Sequence, residues 1–148
     1  MNWRLEKACA LGVRDYDIPK TTVVKVNLIA DVLERFCIGL CLLNDDLIDS
    51  FDLVDTNGTG LFRLLRSTHA TSIELQRDKI SLTLDAIELE RWVQFTLRAV
   101  RDGAAEVGHL DMAVTLAGEA RKPIDLVIVY PSSVPPVSPD EARRRLGL

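Results

Sequence analysis

Apolar residues recur along the chain with two different spacings, and the change between them divides the molecule. Residues 23–43 are rich in Val, Leu, Ile and Phe, and Leu28, Val32, Phe36 and Leu40 follow in steps of four. That spacing predicts a helix, opening near Pro19-Lys20-Thr21-Thr22, because residues four apart share a helical face. Cys37, Ile38, Cys41 and Leu42 widen the stripe almost round the helix, which places it at the centre of the core. Residues 45–54 read as a second, amphipathic helix with Leu47, Ile48, Phe51 and Val54 inward. Thr56-Asn57-Gly58-Thr59-Gly60 breaks it, and residues 61–66 are short enough for a third.

Beyond residue 72 the spacing becomes two. Ile73 and Leu75 alternate with polar residues, as do Ile80, Leu82 and Leu84, with Gln76-Arg77-Asp78-Lys79 between them. This is the pattern of a β-hairpin with one apolar face. Asp85 with Glu88 three residues on predicts a capped helix over 86–102, which sets Leu89, Trp92, Val93, Thr96, Leu97 and Val100 inward and stops at Gly103. Leu110, Met112, Val114 and Leu116 alternate again, residues 118–123 turn, and the apolar run 124–130 reads as a strand covered on both faces. Pro131-Ser132-Ser133-Val134-Pro135-Pro136 is an extended linker. It leads to a short helix capped by Ser138, with Pro139 in its first turn and Arg143-Arg144-Arg145 in its last.

The fold expected from this order is α+β: N-terminal helices, then β-hairpin–helix–β-hairpin forming a four-stranded antiparallel sheet with helices on one face, and a short C-terminal helix. Residues 1–130 form the single domain and 131–148 a Pro-rich tail. The sequence contains no internal repeat.

Composition narrows the function. A chain of 148 residues with 47% hydrophobic and 27% charged residues carries enough apolar side chains to fold without disulfides or metal. Three cysteines, Cys9, Cys37 and Cys41, make no secreted disulfide framework, and the N-terminus lacks the apolar stretch of a secretory signal. The longest apolar run, residues 36–43, is far shorter than the roughly 20 residues needed to cross a bilayer. The expected location is the cytoplasm, with no membrane partner. The net charge of −4 is concentrated: residues 31–60 hold Asp31, Glu34, Asp45, Asp46, Asp49, Asp52 and Asp55 against Arg35 alone. With no basic stripe to neutralise phosphates, nucleic acid is not an expected partner; a basic protein is.

Few residues suggest chemistry. Asp55, Asn57, Thr59, Gly60, Leu61 and Phe62 stand where positions one, three, five, six, seven and eight of a calcium loop would stand. The stretch resembles the first two-thirds of an EF-hand loop, which implies Asp55, Asn57 and Thr59 as metal ligands. The twelfth position, a bidentate Glu in that family, is Arg66 here, so the expected occupant is no metal and the loop a helix-breaking turn. Cys37 and Cys41, one helical turn apart, have chelating spacing, but their apolar helix points to core packing. His109 and Asp111 alternate with Leu110 and Met112, an arrangement open to a general base with its orienting carboxylate; His69 has no partner in sequence. Nucleophile elbow, phosphate-binding loop, dinucleotide fingerprint and His-Glu-x-x-His pair are all absent from the sequence.

The expected function is a small acidic protein-binding module, in the first place an immunity protein that neutralises a basic toxin domain, with Asp45, Asp46, Asp49, Asp52 and Asp55 as the partner-binding surface. No catalytic residue and no cofactor is expected. Two alternatives stand beside it. One is a secretion chaperone or other dimeric adaptor, since the element order is similar to that of type III secretion chaperones. The other is a small hydrolase or metal-dependent enzyme using clustered carboxylates.

Overall fold

The computed structural model describes residues 1–17, 20–102, 108–117, 119–131 and 139–147. Among these residues eight strands close into a barrel: β1 (Asn2–Tyr16), β2 (Thr21–Leu28), β3 (Ser50–Asp55), β4 (Leu61–Arg66), β5 (Ser72–Leu75), β6 (Lys79–Leu84), β7 (His109–Leu116) and β8 (Glu119–Val129). A 3-10 turn (Ala30–Val32) leads into α1 (Leu33–Asn44); α2 (Ala86–Asp102) and the short α3 (Pro139–Arg145) follow. Round the barrel the order is β1-β2-β8-β7-β5-β6-β4-β3, and β3 pairs back to β1. Four antiparallel hairpins are joined by four parallel seams. The expected α+β sheet of four antiparallel strands with helices on one face is therefore overturned: the sheet is a closed, mixed β-barrel.

The error lies in the N-terminal half. Residues 21–28 carry Thr21, Thr22, Val23, Val24 and Val26, whose branched side chains suit a pleated sheet. Thr22, Val24, Val26 and Leu28 are buried in strict alternation, so β2 occupies the start of the expected helix and α1 begins at Leu33. Residues 45–54 are no helix either. The chain turns at Asp45 and Asp46, the latter at φ 60, and β3 follows with Ser50 through Val54 all buried. A strand covered on both faces loses its alternation, and Leu47, Ile48, Phe51 and Val54 then imitate helical spacing. β4 replaces the third expected helix, with Phe62 and Leu64 buried on one face.

From residue 72 onward the expected elements are present. Asp85 caps α2, its Oδ1 accepting from the Glu88 N–H at 2.8 Å. Three details differ: Ala99 is buried in α2 where Leu97 and Val100 are exposed, β8 already begins at Glu119 where a turn over 118–123 is expected, and along its described side chains β8 buries the face of Ile124, Leu126 and Ile128, with Asp125 exposed. Gly103, Gly118, Ser138 and linker residues 132–136 lie outside the described residues. No described helix is long and apolar enough to cross a membrane.

One core joins sheet and helices: Val24, Leu53, Phe62, Leu82 and Leu126 from the strands, Phe36 and Leu40 from α1, Leu89 and Trp92 from α2. The two long helices also pack on each other, and Asn44 Nδ2 donates to Glu90 Oε2 at 2.7 Å. Helix α1 meets β3 closely at Gly39, where a Cβ would stand 2.4 Å from the Phe51 ring.

The topology repeats although the sequence does not. Hairpin, helix, hairpin occurs twice, as β1-β2-α1-β3-β4 and β5-β6-α2-β7-β8, with strand orders β4-β3-β1-β2 and β8-β7-β5-β6. Registers correspond as well: the seam Val24↔Leu126 matches Ile80↔Phe62, and Leu53↔Phe62 matches Met112↔Leu126. Asp52 of β3 and Asp111 of β7 are thus equivalent positions. Their cross-strand partners, Arg63 and Val127, are not alike, so the residues conceal the repeat.

Candidate functional site

The five aspartates expected to form one acidic surface are divided by the fold. Asp45 and Asp46 are exposed just past α1, and exposed Asp49 pairs with the N-terminal ammonium of Met1. Asp52, 1% exposed, accepts from Arg63 Nε and Nη2 at 2.8 and 2.9 Å. Asp55 Oδ1 accepts the Asn57 and Thr59 N–H groups, each at 3.1 Å. Asp52 is therefore spent inside the protein and half-buried Asp55 on its own turn, which leaves Asp45, Asp46 and Asp49 exposed. Asp45 and Asp46 follow the helix C-terminus, the end that disfavours negative charge. Arg66 offsets this by donating to the Asn44 carbonyl at 2.8 Å.

The loop that resembles an EF-hand is held by the same contacts. Residues 55–60 turn β3 into β4, closed by the Asp55 N–H on the Gly60 carbonyl at 2.9 Å. The Asp55 carboxylate is turned onto this backbone, and a Cβ on Gly60 would lie 2.6 Å from its Oδ2. Among the described residues no three His, Cys, Asp or Glu side chains gather as a metal site.

The three cysteines are free thiols. Burial, then the charge of Asp55, pushes Cys9 up to about 12. Burial, then Cys41, pushes Cys37 up to about 11. Below the ordinary value of 9.0 these thiols are protonated whether the chain is folded or not, and pH leaves their contribution unchanged. Above it the unfolded thiols ionise first, so stability falls as pH rises toward the folded values. The expected slope is at most about 1.4 kcal/mol per pH unit for Cys9 and less for Cys37. Urea titrations between pH 8 and 11 check this; a flat profile refutes it. At pH 8 a thiol reagent is expected to label half-buried Cys41 first, and all three only after unfolding.

His109 and Asp111 do meet, Nε2 to Oδ2 at 3.1 Å, with both side chains 59% exposed. A contact that open to water adds little stability and holds neither ring nor carboxylate firmly. Beside it, the outer surface of β2, β8 and β7 forms a groove of about 500 Å³ lined by Val23, Asp111, Met112, Ala113, Asp125 and Val127. An apolar floor between two carboxylates suits a side chain with a hydrocarbon stem and a cationic head, Lys or Arg. A second hollow of about 320 Å³, over β3, β4, β6 and β5, mixes Arg63, Lys79 and Glu74 with Ser81 and Thr83. In the sequence the groove is hidden, because Val23 opens a stretch with helical spacing and Asp125 lies in the apolar run 124–130. Asp125, a charge inside an apolar run, is the signal that marks the outward face.

No family model and no curated protein matches the chain.

Proposed function

We propose that the protein is an acidic protein-binding module that captures a basic partner, with neutralisation of a basic toxin domain as its role in the cytoplasm. The observation that carries this reading is the groove in which Asp111 and Asp125 flank Val23, Ala113 and Val127. Apolar contact supplies affinity there, and the carboxylates select a cationic side chain and speed its approach. Exposed Asp45 and Asp46 extend the negative field that steers the encounter. Three free thiols suit a reducing compartment. The chaperone alternative has less support, since its likeness in element order assumes a four-stranded sheet and the strands form a barrel.

The test is capture from the native host followed by association kinetics on the purified partner. Asp111→Asn with Asp125→Asn is expected to slow association about tenfold at low salt and to flatten its salt dependence, with Asp45→Asn and Asp46→Asn adding a smaller effect. Equal rates for the charge-neutralised and unaltered chains defeat the reading.

A further inference from the structure

One half of the topological repeat is closed by a strand segment that, among the described residues, the other half lacks. In the first half the start of β1 runs parallel to β3, with Asn2↔Ser50, Trp3↔Phe51, Arg4↔Asp52 and Leu5↔Leu53 in register. In the second half β5 meets β7 only at Ser72↔Thr115 and Ile73↔Leu116. Among the described residues, β7 from His109 to Val114 therefore pairs with β8 alone. The Asp111 carbonyl faces away from β8 and accepts from Arg91 Nη2 at 3.3 Å. The two-residue period of a strand turns the backbone groups of His109 and Ala113 to the same open edge.

Equivalent side chains register the missing cover. Leu53 is fully buried, while its counterpart Met112 is half-buried. Asp52 is hidden, while its counterpart Asp111 is exposed. An edge left without a neighbouring strand among the described residues can bind by strand addition: main-chain hydrogen bonds give affinity, and alternate side chains give specificity.

We infer that the β7 edge over residues 109–114 receives an extended segment of the protein partner as a parallel strand whose side chains alternate apolar and basic. The internal counterpart supplies the template. Trp3 stacks on Phe51 with centroids 5.4 Å apart and Leu5 is buried, while Arg4 lies in register with Asp52. On β7 the apolar side chains of an added strand meet Leu110 and Met112, and its basic side chain reaches Asp111 at the mouth of the groove that holds Asp125. This deepens the protein-binding reading and rests on it.

The probe is a synthetic peptide of residues 1–8, the arm that fills the equivalent slot, titrated into the full chain while backbone amide exchange is followed. Exchange at Asp111 and Ala113 is expected to slow about tenfold or more, with Phe51 and Leu53 unchanged. The same peptide carrying Arg4→Glu is expected to lose the effect. Ala113→Pro in the protein removes an edge N–H at a position where proline is tolerated, and is expected to abolish protection with the circular dichroism unchanged. No slowing at millimolar peptide overturns the inference, as does protection confined to other strands. A chain that is dimeric without peptide, with these amides already protected, assigns the edge to a second copy and also overturns it. If the edge stays silent while Asp111→Asn with Asp125→Asn still slows partner capture, only the added strand is lost. If the edge takes the peptide while capture ignores those charges, the acidic groove falls and the strand slot stands.

Discussion

Replacing Arg63 by alanine is expected to lower the folding stability by about 3–5 kcal/mol. Asp52 lies on β3 with its side chain 2% exposed, and Arg63 on the neighbouring β4 supplies both of its short, parallel hydrogen bonds. Charge-assisted, bidentate bonds of this geometry are the strong kind. Removing the guanidinium leaves a buried carboxylate with Asn2 Nδ2 at 3.5 Å and Arg4, which is already engaged by Glu6 at 2.7 Å. Neither replaces two lost bonds. The cost comes from stranding a charge rather than from losing an attraction, so replacing both partners separates the causes. Asp52→Leu with Arg63→Met is expected to be far milder than Arg63→Ala alone, within about 1–2 kcal/mol of the unaltered protein. Urea midpoints at constant m-value measure both variants. A cost below about 1 kcal/mol for Arg63→Ala means that Asp52 finds another partner and the account is wrong.

A valine at Gly39 is the second large effect, expected to cost about 3 kcal/mol or more. An added Cβ would meet Phe51 Cζ at 2.4 Å and its two Cε atoms at 2.5 and 2.7 Å. The ring cannot swing aside, because Trp3 stacks on it and Phe36 stands 5.8 Å away at 35°. Alanine tests the same contact more gently. In an open helix Gly→Ala stabilises by about 1 kcal/mol, whereas here it is expected to destabilise. Adding Phe51→Leu, which vacates the space, is expected to recover part of the loss, a coupling that a double-mutant cycle reads directly. A stabilised Gly39→Ala variant shows instead that α1 and β3 do not approach so closely.

Both effects lie in the part of the chain where local pattern misleads. Phe51 and Val54 are spaced like one face of a helix, yet strand alternation sets them on opposite faces of β3, both buried, with Arg63 and Asn2 covering Asp52 on the outer face. Nothing within residues 45–54 announces that cover; it comes from β4 and from the first residues of the chain. The arm of β1 is equally silent. Its apolar positions are interrupted by charged residues and by Lys7 at φ 48, where the register shifts between Leu5 and Cys9. Its partner β3 lies some fifty positions away in Asn2↔Ser50. The acidic segment illustrates the consequence for function. Five aspartates close in sequence become two exposed carboxylates past a helix, one paired with the N-terminus, one buried ion pair and one turn cap, whereas Asp111 and Asp125, distant in sequence, come to line one groove.

Where one face of an element is buried and the other wet, period alone identifies it. The hairpin at Ile73 to Leu84, the helix from Ala86 capped by Asp85, and the alternation of Leu110, Met112 and Val114 are all readable for that reason. Burial there is a property each residue records in its own type. Barrel closure, the parallel seams and the short overlap of β5 with β7 depend on which strand lies beside which, and main-chain hydrogen bonds are nearly indifferent to side-chain identity. That choice rests on packing between residues far apart in the chain, so only the folded molecule makes it.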